Sequence, residues 1–140
     1  MRTSHLKVAA SVSLGVQLIP GGYISLEEKV TALAKAGFDG VDVYMWDLVP
    51  YTEHMFNRKL SQKNVFDFSF TKEDWKLLIQ AAERLGTLCN SHNLKVISAV
   101  CLFEAEGWPQ ESEQAAKARE NLQQWSSLMT AIGTDMLVVS

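Results

Sequence analysis

The sequence has few cysteines and no long apolar run. Its two cysteines, Cys89 and Cys101, form no CxxC pair, which is typical of buried thiols in a reducing compartment and argues against a disulfide. No apolar stretch approaches the roughly 20 residues that a membrane-spanning helix needs. The Met1 to Lys7 stretch does not resemble a signal-peptide core. We therefore expect a cytoplasmic protein without a membrane partner.

The sequence also lacks an excess of basic residues and a glycine-rich phosphate turn. It has 13 lysines and arginines against 16 acidic residues, a formal net charge of -3, and no basic stripe, so a nucleic-acid partner is not expected. Gly15, Gly21 and Gly22 fit neither a GxGxxG nor a Walker pattern. Their spacing disfavours an open, doubly wound sheet that binds a nucleotide.

Short apolar strands alternate with amphipathic helices along the 140 residues. The pattern predicts strands at 8–14, 41–44, 95–102 and 136–140. It predicts three helices, the first from a capping box at Ser25 and Glu28 to Gly37, the second from 71 to about 92, and the third from 115 to 133. Residues 47–70 are predicted to be a long loop with at most a helical turn at 53–58. The alternation predicts an α/β protein with a parallel sheet.

The favoured architecture is the N-terminal half of a (β/α)8 TIM barrel, with about four parallel strands and three helices. A complete barrel needs about 250 residues and eight strands. We therefore interpret residues 1–140 as one partial barrel domain, truncated at or within its fourth strand. Four parallel strands leave two open sheet edges, so we expect pairing with another chain, including a homodimer through these edges.

The residues that follow each strand are the candidates for a site, because barrel enzymes place their chemistry at the carboxyl ends of their strands. They are Ser13, Gln17, Asp42, Tyr44, Trp46, Asp47, Phe103, Glu104, Glu106 and Ser140. Asp42 is the most informative, because alternation along the strand separates it from its neighbouring valines and directs it into the barrel. It either contacts a ligand or is paired with a backbone amide or an arginine.

The other candidates have two interpretations each. Glu104 and Glu106 form an acid and base pair or are solvated loop charges. Four aromatic residues either form a wall against a ring-shaped substrate or pack the loops against the barrel: Tyr44, Trp46, Phe103 and Trp108. The histidines His5, His54 and His92 have no metal-ligand spacing, although His54 lies in a loop on the expected active face. Trp75 and Trp125 belong to helical apolar stripes and are assigned to the core.

Several segments resemble the sugar phosphate isomerase/epimerase (xylose isomerase-like) barrels, and most closely the fungal 3-dehydroshikimate dehydratases. They are Ser11 to Gly15, the run KVTALAKAGFDGVDVY from Lys29 to Tyr44, the Asp47-Leu48 pair, and the third strand at Val100-Cys101-Leu102. Two positions depart from the dehydratase pattern as the family shows it. Val16 stands where an arginine is expected, and Met45-Trp46 stand where a His-Glu pair is expected.

The resemblance implies a divalent metal, Mg, Mn or Co, which polarises a substrate oxygen while a base removes the neighbouring proton. In that family the metal ligands belong to the second half, so neither a catalytic nor a metal-binding residue is expected here. The chain alone is then inactive and binds no metal. What carries over is a substrate-lining set: Asp42, Tyr44, Trp46, Phe103 and Glu104.

The implied substrate is a polyhydroxylated or cyclohexene-carboxylate compound, such as 3-dehydroshikimate, which loses water to give protocatechuate. The two departures leave a sugar phosphate isomerase or epimerase open as an alternative. A non-catalytic half barrel that binds a partner or a small ligand is a further alternative.

Overall fold

The computed structural model describes residues 5–11, 24–61, 69–102 and 107–139. Its elements in chain order are β1 (Val8–Ala10), α1 (Leu26–Lys35), β2 (Gly40–Tyr44), α2 (Met45–Phe56), α3 (Lys72–Ser91), β3 (Lys95–Leu102), α4 (Glu113–Ile132) and β4 (Leu137–Val139). The strands form one parallel sheet in the order β1-β2-β3-β4. The predicted α/β class, with sequential parallel strands joined by helices, is confirmed.

Local capping chemistry marks the starts of α1 and α3 and the end of α4. Ser25 Oγ accepts a hydrogen bond from the Glu28 amide, and the Glu28 carboxylate accepts one from the Ser25 amide. Thr71 and Asp74 form the same reciprocal box at the start of α3. The helix α4 ends at Gly133, whose φ of +88° requires the left-handed conformation that glycine adopts readily.

The long loop predicted for residues 47–70 is wrong in its first part, because α2 is a regular helix there. Its buried residues follow helical spacing: Met45, Asp47, Leu48, Val49, Tyr51 and Thr52. The helix also contains Pro50, which has no amide hydrogen to donate within the helix. Packing of the buried stripe against α1 and α3 compensates for this loss. The described chain therefore has four helices rather than three.

The sheet has one face covered by helices and one that belongs to the barrel interior. Val41, Val43, Val96 and Ala99 join the hydrophobic core together with the helices. On the opposite face the strand register aligns Ala10 with Asp42, Asp42 with Ser98, and Val100 with both Tyr44 and Val138. We call these residues the inner face. Candidate site residues and core residues therefore alternate along the same strands.

The helical layer is tightly packed where α3 meets α4. Trp75 and Trp125 meet edge to face with their ring centroids 6.2 Å apart, which confirms their assignment to the core. A Cβ atom on Gly86 would lie 2.7 Å from the carbonyl oxygen of Ile132, so the two helices approach closely at this glycine. Across the described ranges, no helix is long and apolar enough to span a membrane.

Candidate functional site

Asp42 is the central residue of β2 and lies on the inner face, as predicted from strand alternation. The register places it opposite Ser98, and the Ser98 hydroxyl donates a hydrogen bond of 2.7 Å to Asp42 Oδ1. Ser98 is buried, whereas Asp42 is half-buried. The carboxylate is thus oriented by a serine hydroxyl, a partner that was not among those expected from the sequence. This arrangement fixes the side chain and leaves part of it accessible.

Ser11 joins the carboxyl ends of β1 and β2. Its fully buried hydroxyl oxygen accepts a hydrogen bond of 3.1 Å from the Tyr44 amide. Tyr44 is also the N-cap of α2 and has no side-chain cap of its own. The Ser11 contact therefore holds the junction at which the chain passes from the strand into the helix.

Tyr44 and Trp46 stand next to each other beside Asp42. Their rings are stacked with centroids 6.1 Å apart and planes inclined by 28°, and both side chains are half-buried. Trp46 lies in the first turn of α2 rather than in a loop. An aromatic surface next to an oriented carboxylate suits a small ring that carries hydroxyl groups, because the rings pack against carbon while the carboxylate accepts hydrogen bonds.

Asp47 forms a buried ion pair instead of lining the inner face. Lys29 Nζ in α1 lies 2.7 Å from Asp47 Oδ1 in α2, and the side chains are only 2% and 8% exposed. Within the described part of the chain, Asp47 Oδ2 has no hydrogen-bond partner. The pair joins the first turns of two helices near the sheet, so its role is to position α2 and, through it, Trp46.

Sequence reasoning missed three residues that organise this region: Ser11, Lys29 and Ser98. Lys29 had a detectable signal, since Leu26, Lys29 and Val30 share the buried stripe of α1 and a lysine on such a stripe needs a charged partner. Ser98 lies within an apolar strand and Ser11 directly follows one, so neither carries a comparable signal. Only the strand register brings them to their partners.

Other candidates lie elsewhere. Ser13, Gln17, Phe103, Glu104, Glu106 and Ser140 fall outside the described residues. The prediction that His54 lies in a loop on the active face is wrong. His54 belongs to α2 and lines a groove of about 690 Å³ between α1, α2 and α3, together with Arg84 and Tyr51. That groove lies on the helical layer, because all of its lining residues belong to helices or to the Ser25 cap.

The described residues do not provide a metal site or a reactive thiol. In the ranges that the structure covers, no group of three His, Cys, Asp or Glu side chains is arranged to hold a metal ion. Burial raises the pKa of the Cys89 thiol to about 11, which keeps it protonated and unreactive near neutral pH. Among the described residues, the polar and aromatic groups near the carboxyl end of β2 are the Asp42 carboxylate and the rings of Tyr44 and Trp46.

The sheet order, the parallel strands and the helical layer define half of a TIM-type barrel with polar and aromatic groups at the carboxyl ends of its strands. A comparison with known proteins agrees with this class. The chain is 24% identical over 115 residues to the 3-dehydroshikimate dehydratase of Neurospora crassa, a match that covers 82% of this chain. It spans 30% of the length of that relative.

A solved structure supports the fold. A xylose isomerase-like TIM barrel/4-hydroxyphenylpyruvate dioxygenase fusion protein superposes with a TM-score of 0.58 at 20% identity, covering 95% of this chain and 16% of the other. No family model matches the sequence. The chain therefore has the fold of half a xylose isomerase-like barrel, and it is distantly similar in sequence to a 3-dehydroshikimate dehydratase.

Proposed function

We propose that this chain forms a substrate-lining half of an active site like that of the 3-dehydroshikimate dehydratases, lyases that convert 3-dehydroshikimate to protocatechuate. The observation that carries the proposal is the half-buried Asp42 carboxylate, oriented by Ser98 beside the Tyr44-Trp46 stack. The similarity over 115 residues to the Neurospora dehydratase supports the same substrate class.

The residues divide the recognition of such a substrate between them. The Asp42 carboxylate accepts hydrogen bonds from ring hydroxyls, and it faces away from the substrate carboxylate because two negative charges repel. Tyr44 and Trp46 pack against the carbon ring. Ser98 keeps Asp42 in one orientation, so that less side-chain freedom is lost when the substrate binds.

The proton-transfer chemistry is assigned to residues outside the described part of this chain. A divalent metal in this family would polarise the substrate oxygen, and no described cluster fits such an ion. The proposal therefore includes that this chain alone binds substrate without turnover. It also includes a cytoplasmic location, which a buried, protonated Cys89 suits.

The test is direct binding of 3-dehydroshikimate and of protocatechuate to the purified chain, measured by isothermal titration calorimetry and by tryptophan fluorescence. Asp42→Asn keeps the shape of the side chain and removes its charge, and we expect binding to weaken by about tenfold to a hundredfold, since a hydrogen bond to a charged group contributes about 1.5–3 kcal/mol. The matched control is Glu83→Gln, an exposed carboxylate on α3, which should leave the affinity unchanged. Circular dichroism confirms that both variants are folded.

The same titrations distinguish the alternatives. If the chain binds sugar phosphates instead, and Asp42→Asn weakens that binding, the site belongs to an isomerase or epimerase. Equal weakening by Asp42→Asn and Glu83→Gln would contradict the assignment of Asp42. Absence of binding to both ligand classes would contradict the dehydratase proposal and favour a non-catalytic half barrel.

A further inference from the structure

The two edges of the described sheet have matching properties. Within the described residues, β1 pairs only with β2 and β4 pairs only with β3. Each edge strand has three residues and carries a valine with 39% of its surface exposed, Val8 on β1 and Val138 on β4. An unpaired strand presents a row of backbone donors and acceptors that pairs readily with another strand.

The number and direction of the described strands fit a second copy of this half barrel. All four strands are parallel and lie in chain order, and a closed barrel of this type has eight parallel strands. A second copy related by a twofold axis along the barrel axis supplies the remaining four in the same direction. The β4 edge of each copy then meets the β1 edge of the other, and the two identical seams close the ring.

The charges beside the two edges are complementary. Lys7 directly precedes β1, and Asp135 lies just before β4. Both residues are exposed and both mark the amino-terminal end of an edge strand. When β4 of one copy lies parallel to β1 of the other, Asp135 and the partner's Lys7 meet at the same end of the seam. Two copies side by side in this way gain two ion pairs, one at each seam.

We propose that two copies of this chain close into one eight-stranded parallel barrel through identical β4-β1 seams. Val138 shares the inner face with Asp42 and Ser98 through the strand register, so closure places the exposed valines within the barrel interior. The two Asp42 residues then lie on opposite sides of one barrel mouth. A ligand bound at one Asp42 faces the inner face of the partner, and the second copy competes with any other segment that would complete the barrel.

The proposal does not depend on the substrate, and its first test is sedimentation equilibrium of the 15.6 kDa chain at low ionic strength. We expect a dimer. Lys7→Glu and Asp135→Lys should each weaken dimerisation about tenfold, because each substitution replaces two exposed ion pairs, worth up to about 1 kcal/mol each, by like charges. The double variant restores the pairs with reversed sign and should return to within about threefold of the original affinity. Lys117→Glu, an exposed change on α4, is the matched control and should have no effect.

A cross-linking experiment tests the seam itself. Under mild oxidation, a chain carrying Ala10→Cys and Val138→Cys should form a disulfide between copies, because a seam that pairs Lys7 with Asp135 places Ala10 opposite Val138 on the inner face. The control combines Ala10→Cys with Leu137→Cys, since Leu137 packs against the helix-covered core on the other face of β4. This pair should cross-link at least tenfold more slowly.

Four results would overturn the closed dimer. They are a monomer at all concentrations, an open-ended polymer, a dimer that does not respond to the single charge reversals, and a double variant that dimerises no better than either single one. A monomer that instead binds a separately produced second half barrel would assign the edges to that segment. In each case the binding titrations with 3-dehydroshikimate are unaffected as a test of the site, because they measure Asp42 and not the seams.

Discussion

The two faces of β2 differ in what surrounds them, although their residues alternate in one short strand. Val41 and Val43 are buried against the helices, while Asp42 and Tyr44 are half-buried on the inner face. The helix-covered face supplies the burial that stabilises the fold. The inner face carries a carboxylate and an aromatic ring whose accessible parts contribute little to stability and suit recognition.

The carboxylates of the helical layer and the carboxylate of the inner face have different kinds of partner. Its buried carboxylates are held by ions or amides of the protein, Asp47 by Lys29 and Asp74 by backbone amides and Arg58. Asp42 has a neutral hydroxyl as the hydrogen-bond partner that orients it. A charge that is neutralised by the protein serves the fold, whereas one that is only oriented is available to a ligand.

The largest effect on stability is expected when a carboxylate is placed on the helix-covered face of β2. Val41→Asp places a charge at a fully buried position among apolar side chains. We expect a loss of more than about 4 kcal/mol in the free energy of unfolding, because an unpaired buried charge is among the most destabilising changes known. Urea denaturation followed by circular dichroism measures it, and the variant is expected to be largely unfolded without denaturant.

The matched control is Asp42→Asn, one residue further along the same strand. Its amide oxygen can still accept the Ser98 hydrogen bond, so we expect the free energy of unfolding to change by less than about 1 kcal/mol. If both substitutions were equally destabilising, the two faces would not differ as described. If Val41→Asp remained folded, water would reach the helix-covered face more easily than the buried valines indicate.

Much of this contrast was predictable from sequence, because it depends on local patterns. Alternation separated Asp42 from its neighbouring valines, and the capping residues located α1, α3 and α4. The helix α2 was missed because Pro50 and the mixed polar and aromatic composition obscured the period. A stripe at Met45, Leu48 and Val49 was nevertheless present.

The rest depends on contacts between segments that are distant in sequence. The Asp42-Ser98 bond joins residues 56 positions apart, and it requires a register shift between Val41 and Asp42 that no local pattern encodes. The Lys29-Asp47 pair could not be predicted either, because Asp47 was assigned to a loop whereas it lies in the first turn of α2. The predicted roles of Tyr44 and Trp46 in substrate binding remain predictions.

The next largest effect concerns the buried ion pair of the helical layer. Lys29→Met removes the cation and leaves the Asp47 carboxylate buried without it, so we expect a loss of about 3–5 kcal/mol in the free energy of unfolding. The double variant Lys29→Met/Asp47→Leu removes both charges and should recover at least half of that loss. Equal instability of the single and double variants would show that packing volume, not charge pairing, decides the stability of the contact between α1 and α2.

A smaller effect is expected where α3 and α4 approach each other. Gly86→Ala improves helix propensity by about 1 kcal/mol, but the new Cβ would lie 2.7 Å from the Ile132 carbonyl oxygen. We expect the steric clash to outweigh the gain in helix propensity, with a net loss of about 1–2 kcal/mol in the free energy of unfolding, measured by thermal unfolding. Thr87→Ala, at the next and exposed position, is the control and should change stability by less than about 0.5 kcal/mol. Stabilisation by Gly86→Ala would mean that the helices can separate at no cost.

An effect of similar size concerns Asp74 and depends on pH. Burial of this carboxyl acts to raise its pKa, but hydrogen bonds from Thr71 and Ser61 together outweigh that effect and lower the pKa below its usual range. A lowered pKa in the folded state means that the ionised carboxylate stabilises the fold above the ordinary aspartate pKa of about 4. This contribution is lost as the pH falls through the lower folded-state value.

Asp74→Asn should therefore lower the free energy of unfolding by about 1–2 kcal/mol at pH 7, where the charged cap is intact. The difference between the original chain and the variant should shrink as the pH falls below about 4, because the original chain then loses the same charge. Urea denaturation at a series of pH values measures this, with Glu73→Gln, an exposed carboxylate in the same turn, as the control that changes stability by only a few tenths of a kcal/mol. A difference that stays constant with pH would show that Asp74 acts through its shape and not its charge, and the contrast between neutralised charges in the helical layer and the oriented charge of Asp42 would lose one of its two examples.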